Sequence, residues 1–452
     1  MPAAAPDRGA AMPAAHESGA AALSVSDVAE LMAPIASAPA IALAVSGGSD
    51  SLALLAAVDH WRLAGRRPAV HVLTVDHALT PGSAQVAAGV AAIAAARGLP
   101  CRILRWEGAK PARGLEEAAR MARYGLLARA ARDAGSTHLL TAHSLEDQAE
   151  TFLMRLERGS GVFGLAAMRP EVDLGGGLTL FRPFLAVSRA RLAATTAAAR
   201  LDAHHDPMND DPRFHRVRLR AALPHLAKAG VTATAIAAAA ARLARAADAI
   251  EAMADRLIAA HVQVDAFAVV AFPVRPFADA ADDVRLRLLI RILRALGGGD
   301  YPPGSEKTMA IAAAILGDVP AAKRTLAGVV AERRGDRVRL YREAGRSVLP
   351  RLAAPPGFFG VWDARFAITV PASAPKNLTI GPLGSERPDG LIRPKTLPAA
   401  AAAVLPAVFR DGRIVAVPPL GWATPEAAGI VASEQVSARI AAPRDFPLMD
   451  ET

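Results

Sequence analysis

Short apolar runs alternate with amphipathic stretches over the first 200 positions of the chain. Ile41–Val45, Val70–Val75, Arg102–Trp106 and His138–Thr141 read as buried strands. Between and after them, Asp50–Ala64, Ala84–Arg97, Leu115–Ala134 and Leu145–Glu157 read as helices. Leu52, Leu55 and Val58 recur at helical spacing, and the Gly98-Leu99-Pro100 and Gly135 breaks close two of these segments. Strands that alternate with helices predict an α/β fold, a parallel sheet with helices on both faces. In such sheets ligands bind beyond the carboxyl ends of the strands.

The pattern changes after position 200. Residues 203–216 are polar and turn-rich and read as a boundary. Val231–Ala260 is Ala-rich, with Arg242, Arg245, Asp248, Glu251 and Asp255 spaced as a solvated helix face. Residues 265–345 mix short strands and helices; 346–361 are rich in Pro and Gly and read as a linker. The remainder, with runs such as "RIVAVPPL", predicts a small β-containing C-terminal domain. The expected organisation is a disordered tail over 1–24, an α/β domain over 25–222, a helical and mixed domain over 223–345, a linker over 346–361 and a small domain over 362–452.

Composition narrows the partners. With 52 basic and 43 acidic residues in 452, the chain carries +9, a surplus that attracts polyanions, nucleic acid first among them. The chain has one cysteine, Cys101, which excludes an internal disulfide, a CxxC motif and a cysteine zinc site, and fits a reducing cytoplasm. Residues 1–24 lack the apolar core of a signal peptide. The uncharged stretch 31–49, interrupted by Pro34 and Pro39, is too weakly apolar for a membrane helix. A cytoplasmic protein with no membrane partner is expected.

The densest chemistry lies in "AVSGGSDSLALL", where six consecutive turn-forming and hydroxyl residues, Ser46, Gly47, Gly48, Ser49, Asp50 and Ser51, follow an apolar run and open a helical pattern. Strand, glycine loop and helix start form a phosphate cradle. Glycines allow close approach, helix N-terminal amides face the anion and serine hydroxyls add donors. The loop has no lysine and is not a Walker loop. Asp50 is the candidate Mg²⁺ ligand, since carboxylate and phosphate oxygens share that ion. A GxGxxG at Gly159, Gly161 and Gly164 follows a helix rather than a strand, which argues against a dinucleotide site.

A second cluster falls in "TAHSLEDQAETFLMRLERGSG". His143, Asp147, Glu150 and Thr151 are spaced to share one helix face, with Phe152, Leu153 and Leu156 for packing. Asp76 and His77 follow the second strand. Glu116, Arg120 and Arg123 share one side of a helix, where the arginines offer a phosphate or carboxylate clamp or, in Arg120, a salt bridge to Glu116. Arg213, Arg216, Arg218 and Arg220 form a basic cluster suited to a phosphate backbone.

"SGGSDS" after a strand resembles the pyrophosphate loop of the N-type ATP pyrophosphatases (the PP-loop superfamily). Together with Val75-Asp76-His77, Glu116, Arg120, Arg123 and Tyr124, Ala142-His143, Asp147-Gln148, Glu150-Thr151, Arg155, Gly159-Ser160-Gly161, Gly164-Leu165, Arg182-Pro183, Asp206-Pro207, Asn209, Phe214, Arg216 and Arg220, it resembles the tRNA(Ile)-lysidine synthase family over about residues 41–222. The resemblance implies ligation of free L-lysine to C2 of the wobble cytidine in the CAU anticodon of tRNA(Ile), through an adenylated cytidine, with ATP and Mg²⁺. It further implies a nucleotide site at Ser46–Ser51, catalytic roles for Asp50, His143, Asp147, Glu150 and Arg123, tRNA contacts from the basic cluster and residues 223–345, and a homodimer as candidate assembly. The chain departs from the family at Thr80, Ser144, Glu146 and Val217. The alternatives are another PP-loop tRNA-modifying or adenylating enzyme and an RNA-binding protein without activity. A lone cysteine argues against tRNA thiolation, and no glutaminase nucleophile is evident for an amidotransferase.

Overall fold

The computed structural model describes residues 21–65, 68–79, 82–108, 110–111, 114–205, 210–298, 303–317, 321–345 and 348–441. Thr80, Asp206, Pro207, Asn209, most of the 1–24 tail and the first residues of the expected linker lie outside them. The chain divides into two compact units that meet in sequence between Ala247 and Asp248.

The first unit begins with α1 (Val25–Leu31) and continues as β1 (Ala40–Ala44), α2 (Ser49–Leu63), β2 (Ala69–Asp76), α3 (Ser83–Ala95), β3 (Cys101–Arg105), α4 (Leu115–Asp133), β4 (His138–Leu140) and α5 (Leu145–Glu157). Then follow α6 (Val162–Leu165), β5 (Glu171–Asp173), β6 (Thr179–Phe181), α7 (Arg189–Ala198), α8 (His215–Lys228) and α9 (Ala233–His261), the last of which runs past Ala247. The sheet order is β3-β2-β1-β4-β6-β5. All neighbours are parallel except β5, which pairs antiparallel with β6.

Alternation along β1 explains why both faces are covered. Ile41 and Leu43 enter one core with Leu52, Leu55 and Val58 of α2, Val90 of α3 and Leu192 of α7. Ala42 enters the opposite core with Leu73, Leu139 and the α4 residues Tyr124 and Leu127. A strand buried on both sides must be apolar at every position, which is the continuous run visible in the sequence. The α/β expectation is met, and the four strands and four helices expected between residues 41 and 157 begin and end within two residues of their expected bounds; α1 was not expected.

The second unit contains β7 (Gln263–Val264), β8 (Val270–Pro273), α10 (Val274–Ala278), α11 (Asp282–Gly297), α12 (Ser305–Leu316), β9 (Ala321–Leu326), β10 (Val329–Arg334) and β11 (Arg337–Arg342), with the strands in the order β7-β8-β11-β10-β9. Its later strands form β12-β15-β16-β17-β18 and β13-β14-β19: β12 (Leu352–Ala353), β13 (Phe359–Trp362), β14 (Phe366–Thr369), β15 (Leu378–Pro382), β16 (Pro406–Arg410), β17 (Arg413–Val417), β18 (Trp422–Ala423) and β19 (Val431–Glu434). The stretch read as a linker supplies β12 and most of β13. Leu349 and Ala354 are buried in a core that also holds Leu289 of α11 and Val408 of β16. The prolines and glycines there punctuate short strands.

Candidate active site

The phosphate cradle forms from β1 and α2. Gly48 caps α2 without a side-chain hydrogen bond, leaving first-turn amides for a ligand. Ser51 Oγ donates to the Gly48 carbonyl at 2.8 Å and accepts from the Ser46 amide at 3.2 Å, which closes the loop on itself. Gly47 has φ +89°, and a Cβ there would lie 2.8 Å from Val86 Cγ1, so only glycine lets the loop pass α3 in this conformation. The Gly47 carbonyl accepts from the His204 amide at 2.9 Å, and the Ser49 carbonyl accepts from Thr196 Oγ1 at 2.8 Å. The segments after β6 thus hold the loop from the other side.

Next to the cradle, α5 starts at the carboxyl end of β4. Ser144 is its N-cap, and Asp147 completes a capping box, its Oδ2 accepting from the Ser144 amide at 2.8 Å. His143 therefore precedes the helix instead of sharing its face with Asp147, contrary to the spacing argument; its Nδ1 lies 3.0 Å from Thr141 Oγ1. The histidine ring nonetheless helps to hold the Asp147 carboxyl below its ordinary range. Burial opposes this, and Arg189 is the strongest of the lowering influences.

Arg189, at the start of α7, joins the two parts. Its Nε lies 3.5 Å from Asp50 Oδ2, and its Nη2 lies 2.9 Å from Asp147 Oδ1 and 3.5 Å from Glu150 Oε1. Glu150 is fully buried and also meets Arg220 Nε at 3.0 Å and Arg216 Nε at 3.8 Å. Burial, then the nearby charge of Asp147, pushes the Asp50 carboxyl up to about 6 against the pull of Arg189. Asp50 Oδ1 is buried and accepts no hydrogen bond.

The basic cluster is split by this arrangement. Arg216 and Arg220 turn inward because α8 packs on α5 through Leu223, Ala149 and Phe152. Arg218 donates to the Pro212 and Arg213 carbonyls, and Arg213 pairs with Asp211 at 2.6 Å. A cleft of about 490 Å³ opens beside Arg189, with Glu146 and Arg220 on its polar side and Ala190, Ala193, Leu223, Pro224, Ala227 and Ala233 as apolar wall.

Arg123 belongs to a different neighbourhood. It lies over the Tyr124 ring at 5.2 Å, and after burial its charge is the next influence holding the His77 imidazole below its usual value. Asp76 acts as a turn cap, its Oδ1 accepting from the Ala78 amide at 2.9 Å and Ser83 Oγ at 2.5 Å. The side chain of Glu116, and with it the expected pairing with Arg120, lies outside the described residues. The Gly159–Gly164 segment follows α5 and forms α6, which begins at Val162 rather than Gly164; Arg155 Nη1 donates to the Gly164 carbonyl at 2.7 Å.

Cys101 opens the edge strand β3, half-buried and free, and burial raises its thiol pKa, the reverse of what a thiolate nucleophile needs. Among the described residues no three His, Cys, Asp or Glu side chains form a metal-binding group, and no single helix is long and apolar enough to cross a membrane.

A PP-loop domain model matches residues 22–226. A tRNA(Ile)-lysidine synthase of Rhodopseudomonas palustris is 45% identical over 328 residues, 70% of this chain and 94% of that protein. The Bradyrhizobium diazoefficiens synthase is 44% identical over 339 residues, 70% of this chain and 94% of its own length. The Ruegeria pomeroyi synthase is 35% identical and extends the match to 87% of this chain and 92% of its own. Likeness at this level, running nearly end to end in the relatives, means that the chain belongs to the tRNA(Ile)-lysidine synthase family.

Proposed function

We propose that the protein joins L-lysine to C2 of the wobble cytidine in a CAU-anticodon tRNA(Ile), converting ATP to AMP and diphosphate. The cytidine O2 attacks the α-phosphorus and diphosphate leaves. The lysine ε-amine then attacks C2, AMP departs with the former O2, and the amine loses a proton. The observation that carries this reading is the meeting, through Arg189, of a donor-lined phosphate cradle with the Asp147–Glu150 carboxylates.

The residues divide the work. Ser46, Gly47, Gly48, Ser49 and Ser51 hold the departing diphosphate with backbone amides and hydroxyls. Asp147, at the start of α5, receives the lysine ammonium and takes its proton. Glu150, sealed among three arginines, fixes their positions. Asp50 fits Mg²⁺. Its buried Oδ1 has no hydrogen-bond partner, and Mg²⁺ usually takes one or two carboxylates alongside water and phosphate. Once bound, Mg²⁺ neutralises charge developing on the departing diphosphate. The +9 surplus suits tRNA, and the lone cysteine suits the cytoplasm.

The reading is tested by measuring diphosphate release from ATP with and without tRNA(Ile) in the absence of lysine. Release that requires tRNA, with adenylate found on the RNA, is expected. Release driven by a small molecule without RNA would assign the cradle to another adenylating enzyme.

A further inference from the structure

The proposed reaction gives Asp50 and Asp147 cationic partners, a metal ion and an amine. In this structure one side chain occupies both, since the Arg189 guanidinium lies 3.5 Å from Asp50 Oδ2 and 2.9 Å from Asp147 Oδ1. Its backbone is fixed: Arg189 N donates to Glu146 Oε2 at 2.8 Å, directly after the α7 N-cap Ser188. Its side chain is not sealed, being 28% exposed and lining the 490 Å³ cleft. Glu150 keeps Arg220 at 3.0 Å and Arg216 at 3.8 Å if Arg189 leaves. Asp147 would keep its cap bonds to Ser144 at 2.8 Å and 3.0 Å and lose its closest arginine. Moving Arg189 therefore uncovers Asp147 for an amine and Asp50 on the cradle side, while Glu150 stays paired.

We infer that Arg189 is a positioning residue that makes amine binding depend on nucleotide. Without nucleotide it satisfies Asp147 and competes with an incoming ammonium. A phosphate seated in the cradle draws the guanidinium, whose planar fork binds phosphate bidentately, and Asp147 becomes available. This inference rests on the proposed ligation of lysine and adds the order of binding. Coupling of this kind is reciprocal, so lysine must tighten the nucleotide by the same factor.

The test is calorimetric titration of the full chain with L-lysine, in Mg²⁺, with and without α,β-methylene ATP, which cannot be cleaved between those phosphates. The analogue should lower the lysine Kd by about tenfold or more, and lysine should lower the analogue Kd equally. Arg189→Gln should bind lysine without nucleotide and lose most of the coupling; Arg189→Lys, which keeps charge but lacks the fork, should retain only part of it. A wild-type lysine Kd indifferent to the analogue overturns the inference, even if Arg189→Gln does not fold. So does an Arg189→Gln protein with undiminished coupling. Wild-type protein that makes lysidine but shows no coupling leaves the function standing and removes the switch. Failure to make lysidine removes the function and the switch with it.

Discussion

Replacement of Asp50 by asparagine should raise stability while abolishing activity. Burial of the Asp50 side chain, which is only 26% exposed, followed by the charges of Asp147 and Glu146, pushes its carboxyl up from 3.8 to about 6 against the pull of Arg189. A group with a raised folded-state pKa binds more protons folded than unfolded between those two values. Stability therefore falls as pH rises from about 4 through about 6 and does not recover above it. The displacement from 3.8 to about 6 corresponds to about 3 kcal/mol at pH 8, and to about half of that at pH 5. Asparagine has nearly the same shape and no charge, but leaves Arg189 one partner fewer, so Asp50→Asn should gain about 1–3 kcal/mol at pH 8 and clearly less at pH 5. The assay is equilibrium urea unfolding of ligand-free protein at each pH, read on the Ser49–Leu63 peptide by a brief deuterium pulse at one fixed pH. Diphosphate release is measured in parallel. A variant less stable than wild type at pH 8, or a gain independent of pH, would refute the electrostatic reasoning. Normal diphosphate release would remove Asp50 from the reaction.

Glu150→Gln should have the opposite sign, since it leaves Arg189, Arg216 and Arg220 around a buried neutral group. A loss of about 3–5 kcal/mol is expected in urea unfolding, and a loss below about 1 kcal/mol would mean that the arginines find other partners. Gly47→Ala adds a Cβ 2.8 Å from Val86 Cγ1 at φ +89°. It should cost about 1–3 kcal/mol and weaken binding of the ATP analogue; unchanged analogue affinity would show that the cradle tolerates a different path. Cys101→Ser should leave lysine incorporation intact, and its loss would bring thiol chemistry back into consideration.

How much of this was legible in the sequence depends on how local each signal is. The α5 bounds, Leu145–Glu157, match the expectation because an apolar stripe and a Ser144–Asp147 capping box both act within one helix. The same S-x-x-D signal could have placed His143 outside the helix, but i,i+4 spacing alone suggested a shared face. Arg189 was missed because "SRARL" looks like any solvated helix start. Its meaning comes from the return of the chain through β6, which brings α7 beside α2 and α5. Arg216 and Arg220 were legible as basic but not as inward-facing, since that depends on α8 packing on α5. The strands at 352–353 and 359–362 were hidden by prolines and glycines, which mark tight strand connections and linkers alike.

The central claim is tested most directly by incubating the protein, ATP, Mg²⁺ and radiolabelled lysine with a CAU-anticodon tRNA(Ile), and separately with a methionine tRNA carrying the same anticodon. ATP-dependent label in the isoleucine tRNA alone is the predicted result. No label in either, from folded protein that binds ATP, would contradict the assignment of lysine as the nucleophile.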